Sequence, residues 1–201
     1  MSPNPRDFKE RMNKLRYGWL VLLTAGCVQT EPANKKEFDF DALLDEQVSL
    51  LSQSGAVLEK SAVMESQGSD TTFLPTADGW QKELELFRQM DLLNKPANLL
   101  SFVKQDSIKD SKSNLRIREY TSTSAPLSQM KIYYLDNINR IRRIEAVITD
   151  KNLLHMTQQR LQLNFEEDNQ RPLLNSYAIE GYEKMILSDT VRYSIRGHID
   201  W

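Results

Sequence analysis

The sequence predicts an α+β fold in which two N-terminal helices pack on a curved antiparallel β-meander of about six to seven strands. Two observations indicate this fold. Apolar residues recur at helical spacing between residues 39 and 93, whereas from about residue 98 they alternate with polar residues, as in strands with one buried face. The connections between the alternating segments are short, which favours antiparallel neighbours.

The first helix is predicted over residues 39–54. Asp39 or Asp41 is suited to cap its start, and Gly55 is placed to end it, because glycine readily takes the left-handed conformation that follows many helices. An apolar stripe runs along one side of this helix: Phe40, Leu44, Val48 and Leu51. We interpret the stripe as packing against a sheet, although a partner-binding helix would show the same spacing.

A second helix is predicted over residues 79–93. Asp78 and Gln81 approximate a capping box at its start. The string Asn94-Lys95-Pro96 is expected to end it, because proline disfavours the helical conformation of the preceding residue. Its apolar stripe consists of Trp80, Leu84, Phe87 and Met90.

Residues 56–64 and 71–74 predict a hairpin around a polar loop at 65–70. Six further strands are predicted over residues 115–123, 130–135, 140–149, 154–165, 177–187 and 191–201. Gly181 and Gly197 lie inside two of these strands and are expected to mark bends or bulges. We expect a curved open sheet around the helices, and a nearly closed barrel is the alternative.

The N-terminal residues have the pattern of a signal peptide. Residues 1–18 carry five basic residues against two acidic ones, and the apolar run Trp19-Leu20-Val21-Leu22-Leu23 follows. A membrane-spanning helix needs about 20 apolar residues, so this run is too short to be a lasting anchor. Met12 is an alternative start, because the residues after it already supply a basic segment. The region ends in the string Leu22-Leu23-Thr24-Ala25-Gly26-Cys27, which contains the only cysteine of the chain.

This string resembles the lipobox of bacterial lipoproteins. The resemblance implies that signal peptidase cuts between Gly26 and Cys27, and that Cys27 then carries a diacylglycerol, usually with a third acyl chain on its amine. Thr24 departs from the family, which most often has leucine there. Two or three acyl chains hold a protein firmly in a bilayer. The implied organisation is a signal peptide at 1–26, a lipidated flexible tether at 27–36 and a single α+β domain at 37–201.

The residues after Cys27 favour an outer-membrane lipoprotein that faces the periplasm. Val28 stands where an aspartate often retains lipoproteins in the inner membrane, and Glu31 alone precedes Lys35, so the acidic cluster of some surface lipoproteins is missing. Removal of the leader takes 26 of 201 residues, five of 26 basic and two of 28 acidic ones, which leaves 175 residues with a formal charge of −5. This charge argues against a nucleic-acid partner. Lipidation of the only cysteine also excludes disulfides, thiolate metal sites and thiol catalysis.

A looser resemblance covers the mature chain. Asn94-Lys95-Pro96 and the near-repeats Tyr177-Ala178-Ile179-Glu180-Gly181 and Tyr193-Ser194-Ile195-Arg196-Gly197 are similar to segments of small uncharacterised lipoproteins of Bacteroidetes-type bacteria. Those lipoproteins carry no assigned activity. The resemblance therefore implies a fold and a location, and no chemistry.

The sequence shows no catalytic or metal-binding motif, and we expect no cofactor and no metal. Ser101-Phe102-Val103-Lys104 matches a Ser-x-x-Lys pattern, but the companion motifs of penicillin-recognising enzymes are missing. His155 and His198, the only histidines, have no carboxylate at ligand spacing. The acidic turn Glu166-Glu167-Asp168-Asn169 lacks the spacing and the glycine of a calcium loop.

An arginine cluster allows two interpretations. Its members are Arg140, Arg142 and Arg143, with Arg116 and Arg118 on an earlier strand. Cross-strand ion pairs with Glu119, Glu145 or Glu183 account for them, and a patch for lipid headgroups or another anion is the alternative.

Three functions remain open at this point. The first is a membrane-anchored envelope lipoprotein whose domain is a non-catalytic binding or structural module, with the bilayer as one partner through acylated Cys27 and an envelope protein as another. The second is a lipocalin-like carrier of a small apolar ligand of unknown identity, which requires a cavity between helices and sheet. An enzyme is the least favoured, because no catalytic group is evident.

Overall fold

Nine β-strands and three helical segments make up the part of the chain that the computed structural model describes, residues 36–169, 171–186 and 189–201. The predicted signal peptide, Gly26, Cys27 and the tether up to Lys35 lie outside the described residues. The helical segments are α1 (Phe40–Ser54), α2 (Ala77–Leu84) and a 3-10 helix (Glu85–Asn94). The strands are β1 (Val57–Met64), β2 (Gln67–Phe73), β3 (Val103–Lys109), β4 (Arg116–Thr121), β5 (Leu127–Tyr134), β6 (Ile141–Lys151), β7 (His155–Asp168), β8 (Arg171–Met185) and β9 (Val191–Asp200).

All nine strands form one open antiparallel sheet in the order β2-β1-β9-β8-β7-β6-β5-β4-β3. Strands account for 53% of the described residues and helices for 20%, so the molecule is mostly β. The predicted fold class, two N-terminal helices on a meander of six to seven strands, is therefore wrong. The meander itself runs from β3 to β9, and the β1–β2 hairpin extends it beyond β9.

Two pairings explain the larger sheet. Strand β1 pairs with β9 from Val57 opposite Asp200 to Met64 opposite Tyr193, which joins distant parts of the chain. Strand β3 pairs with β4 although nearly all its side chains are exposed, so it lacks the alternation that reveals a half-buried strand. The expected loop at 65–70 is also mostly strand, because Met64 pairs with Gln67 around a two-residue turn.

Helix α1 follows its predicted signals. The Asp39 side chain accepts a hydrogen bond from the Ala42 N–H at 3.1 Å, and Gly55 ends the helix in the left-handed conformation with φ 71°. Its buried side includes Gln47, whose amide bonds to the backbone of Pro172 and Leu174 at 3.0 and 2.8 Å. These bonds tie α1 to β8 and satisfy a fully buried polar group.

The second helix differs from its prediction at its start and in its second half, whereas it ends at Asn94-Lys95-Pro96 as predicted. Its cap is Thr76, whose hydroxyl accepts from the Gly79 N–H at 3.2 Å, so the proposed Asp78 capping box is wrong. After Leu84 the chain tightens into a 3-10 helix that ends at Asn94. Lys95 is extended with ψ 132°, as its position before Pro96 requires.

The helices cover one face of the sheet, which we call the inner face. A continuous core lies between them, and its largest fully buried side chains include Phe40, Trp80, Phe87, Tyr120 and Tyr177. The opposite face, which we call the outer face, carries mostly polar side chains that alternate with the core residues. The space beneath the helices is thus occupied by side chains.

The near-repeats on β8 and β9 lie directly opposite each other. Tyr177 pairs with Gly197, and Gly181 pairs with Tyr193, with no shift of register between the two strands. A methyl group on Gly197 would overlap the Tyr177 ring, and one on Gly181 would lie 2.6 Å from the Tyr193 ring. The unbroken register excludes the predicted bulge at either glycine in this pair of strands, and each glycine makes room for the facing tyrosine.

Candidate functional site

A depression of about 730 Å³ lies on the outer face and is built by β2, β1, β9, β8 and β7. We call it the outer groove. Side-chain alternation brings its lining together: Glu59 lies opposite Thr72 on one side and His198 on the other, and Ser176 lies opposite His198. Its other polar residues include Ser61, Asp70, Asn164 and Arg196.

Only some of the polar side chains in the outer groove have a hydrogen-bond partner there. Arg196 donates to Glu180 at 3.0 Å, and Asn164 donates to Ser176 at 3.1 Å. Glu59 and Asp70, at the β2 side of the groove, have no side-chain hydrogen bond or ion pair within the described residues. The β2 side of the groove is therefore an acidic surface that is free to meet a cation.

The outer groove borders a free strand edge. All seven residues of β2 are exposed, its pairing with β1 is regular, and it contains no lysine, arginine or proline. Because Met64 and Gln67 close a two-residue turn, alternate residues Gly68, Asp70 and Thr72 direct their N–H and C=O groups away from β1. An edge of this kind is a template for another extended chain.

The opposite edge, β3, carries the features that prevent such pairing. Its register with β4 shifts between Gln105 and Ile108, and Ser107 in this bulge has φ 59°. Lys104 and Lys109 add positive charges along it. Bulges and lysines are the usual protection of an edge strand, and β2 has neither.

Asp106 holds the β3 bulge in place. It accepts hydrogen bonds from Arg118 at 2.6 and 2.9 Å, from the Tyr134 hydroxyl at 2.8 Å and from the Ser107 N–H at 2.7 Å. Burial favours the neutral acid, but these donors outweigh it and lower the pKa of Asp106 to about 2. The cluster is fully paired, which fits a structural role.

Glu37 and Glu83 join the helical layer to the sheet in a similar way. The Glu37 carboxylate accepts hydrogen bonds from the Lys104 ammonium at 2.5 Å and from the Tyr120 hydroxyl at 3.3 Å. The hydrogen bond from Lys104 lowers the pKa of Glu37. The Glu83 carboxylate accepts hydrogen bonds from the Lys60 ammonium and from the Tyr177 hydroxyl, each at 2.8 Å. Burial raises the pKa of Tyr177 well above its ordinary value.

Four of the five arginines of the predicted cluster form ion pairs, mostly with other partners than expected, whereas Arg116 has none within the described residues. Arg140 and Arg142 both contact Glu167, and Arg140 does so at 3.0 Å. Arg143 forms an ion pair with Glu145, one of the expected partners, with 3.1 Å between Nε and Oε1, and its guanidinium lies 4.0 Å from the centre of the Tyr133 ring. Arg118 is bound by Asp106 instead of the expected glutamates. These four arginines do not form the free anion patch that was the alternative.

The two histidines and the Ser-x-x-Lys residues considered in the sequence analysis do not come together in one site. His155 contacts Asn152 at 2.7 Å, and His198 lies 3.4 Å from Asp200 in the outer groove. Ser101 lies in a turn, while Lys104 is paired with Glu37. Among the described residues, no group of three or more His, Cys, Asp or Glu side chains is close enough to hold a metal ion.

Within the same residues, no helix has the length and apolar character needed to cross a membrane. Comparison of the chain with protein-family models, with curated proteins and with solved structures found no match. The outer groove could not be predicted from the sequence, because its residues come from five strands whose register a single sequence does not reveal.

Proposed function

We propose that this protein is a membrane-anchored envelope lipoprotein whose domain is a non-catalytic binding module. In this proposal the domain captures an extended segment of an envelope protein along β2, next to the outer groove. The observation that carries the proposal is the juxtaposition of an unprotected strand edge with a polar groove. The anchor rests on the resemblance of the string ending at Cys27 to a lipobox.

The edge supplies affinity and the groove supplies selectivity. A strand added to β2 would bond to the outward N–H and C=O groups of Gly68, Asp70 and Thr72. Alternate side chains of that strand would then project over the outer groove. Because Glu59 and Asp70 have no ion pair within the part of the chain that the structure describes, we expect lysine or arginine at the facing positions of the partner.

A second copy of this chain is a poorer occupant of the edge. Antiparallel pairing of two β2 strands about their middle residue would set Asp70 opposite Asp70. Like charges directly opposite each other destabilise a strand pair. The acidic edge thus favours a different, basic partner over self-association.

The packed inner face disfavours the alternative of an apolar carrier. Such a carrier needs a cavity of several hundred Å³ lined by apolar side chains. Here Trp80, Phe87 and Tyr177 fill the space between helices and sheet and are 0 to 2% exposed. The outer groove, by contrast, is open and polar.

Photo-crosslinking in intact envelopes tests the binding proposal. A photoreactive residue replaces the exposed Ser69 on β2, and a matched chain carries it at Lys109 on the protected edge β3. We expect a specific protein adduct at position 69 and not at 109. Recovery of the same adducts at both positions, or of none at 69, would contradict the proposal.

A proline substitution identifies the strand addition itself. Thr72→Pro removes an N–H that points away from β1, so it leaves the β1 ladder intact while it blocks a new strand. We expect it to abolish the adduct at position 69, and Thr72→Ala to retain it. Asp70→Lys should weaken the adduct by charge reversal. Full crosslinking in the Thr72→Pro chain would exclude edge-strand addition.

A further inference from the structure

Exposed apolar side chains concentrate at one end of the sheet. Leu153 and Leu154 in the β6–β7 turn are 91% and 72% exposed, and Met185 and Ile186 at the end of β8 are 51% and 64% exposed. The Ile186 N–H donates to the Leu154 carbonyl at 3.1 Å, so the four residues form one surface. We call this surface the apolar tip.

A basic band adjoins the apolar tip on the outer face. Lys151 lies opposite Met156, and Met156 lies opposite Lys184, which sets two lysines in one row beneath the tip. Arg160 and Arg192 follow within the next rows of the same face. Within the described residues, none of these four cations has a carboxylate within 4.0 Å.

Two acidic residues near the tip, Asp150 and Glu183, point to the other side of the sheet. Asp150 lies opposite Thr157, and Thr157 lies opposite Glu183, in the row that alternates with the lysines. A second depression, of about 460 Å³, opens within the basic band and is lined by Val63, Tyr182 and both arginines, together with Glu65 and Glu180. Glu180 lies opposite Arg160, so the two lysines nearest the tip are the cations that have no acidic residue in their own row.

We propose that the apolar tip dips into the surface of the bilayer to which the chain is tethered, and that the basic band contacts anionic phospholipid headgroups. This inference rests on the lipid anchor of the proposed function. Apolar side chains at the acyl boundary with cations at headgroup level are the arrangement of proteins that lie on membranes. Tyr182 beside Arg192 adds an amphipathic ring suited to the same depth.

The short tether is the reason to take the bilayer as the partner of the apolar tip. Eight residues, 28–35, separate Cys27 from the domain at Lys36. Fully extended, they span at most about 30 Å, so an acylated chain keeps its domain within that distance of the lipid surface. The outer groove is centred some six to eight residues farther along the strands from the tip, roughly 20–27 Å away, and stays accessible to a partner.

Site-specific fluorescence on the full lipoprotein tests this orientation. Acylated Cys27 leaves no other thiol, so Leu154→Cys provides a single site for an environment-sensitive dye. Asn139→Cys in the exposed β5–β6 turn, at the opposite end of the sheet, is the matched control. Both proteins are extracted with their acyl chains and reconstituted into vesicles of phosphatidylglycerol and phosphatidylethanolamine that carry a lipid-bound quencher.

We expect a blue shift and several-fold stronger quenching for the dye at 154 than for the dye at 139. The double variant Lys151→Glu, Lys184→Glu should reduce the quenching at 154 while circular dichroism stays unchanged. Equal, water-like emission at both positions on vesicles that retain the protein would overturn the tip proposal and leave the anchor intact. Protection of position 154 in native envelopes but not on lipid vesicles would also overturn it, in favour of a protein partner.

A failure of the anchor gives a different result. Wild-type protein would then label at Cys27 itself and would not float with vesicles. Loss of the β2 adduct would likewise leave the fluorescence of position 154 untouched. The three proposals are thus separately refutable.

Discussion

At the scale of single residues, the contact between Tyr177 on β8 and Gly197 on β9 leaves no space for a larger side chain at position 197. Tyr177 is held by the Glu83 carboxylate at 2.8 Å and by the edge of the Phe87 ring, 5.6 Å between centroids. These two contacts hold the ring in the position that a methyl group on Gly197 would overlap. We expect Gly197→Ala to destabilise the fold by about 1–3 kcal/mol, the usual cost of overpacking.

Urea unfolding of the variant measures this effect. Gly68→Ala is the matched control, because a methyl group there would meet Val63 at an ordinary 3.7 Å. The control should change the free energy of unfolding by less than about 1 kcal/mol. In a Tyr177→Ala background the cost of Gly197→Ala should fall, since the overlapping ring is gone. Equal costs at Gly68 and Gly197 would show that the ring contact is unimportant.

The carboxylate of Asp106 predicts a pH dependence. Its pKa is about 2 in the folded protein, below the ordinary value of 3.8, so the folded state binds its proton less readily than the unfolded state. The stability it contributes is complete above about pH 4 and is lost as the pH falls towards 2. We expect Asp106→Asn to cost about 1 kcal/mol at neutral pH, since the Arg118 pair is partly exposed.

The check compares urea unfolding of wild type and Asp106→Asn at pH 7 and at pH 3. The difference in unfolding free energy between them should shrink on acidification, because the wild type alone loses this carboxylate's contribution. Other carboxylates with lowered pKa, such as Glu37 and Glu167, act equally in both proteins and cancel. A constant difference across this range would mean that Asp106 acts by shape and not by charge.

At the scale of elements, local signals were readable and long-range pairings were not. The cap and the end of α1 depend on Asp39 and Gly55, which lie within or beside the helix, and the prediction was right. The 3-10 conformation after Leu84, in a segment that buries Phe87 and Met90, was missed. The first half of strand β2, residues 67–70, was predicted as a loop, because a polar edge strand such as Gln67–Phe73 buries nothing and so shows no alternation.

The candidate site was less predictable for the same reason. The sequence shows that the arginine cluster needs carboxylates, but only the register shows that Arg140 meets Glu167. Neighbours across a sheet are set by pairing, and a slip of one residue exchanges its two faces. The outer groove and the apolar tip are both products of that register, which explains why neither left a motif in the chain.

At the scale of the whole molecule, the proposals place an acylated end, an apolar tip and an acidic edge strand on one chain. The anchor is the part on which the location depends, and it is tested at Cys27.

We expect Cys27→Ala to abolish incorporation of a fatty-acid probe and to remove the protein from the outer-membrane fraction, because no other thiol is present to take the lipid. Thr24→Leu, which supplies the residue most common in lipoboxes, should retain both acylation and sorting. Metabolic labelling followed by fractionation reads out the two variants, and cleavage before Cys27 should shorten the 201-residue chain by 26 residues in the wild type and in Thr24→Leu, but not in Cys27→Ala. A probe that still marks the Cys27→Ala chain would refute the anchor, and with it the reason for expecting the tip to meet a bilayer.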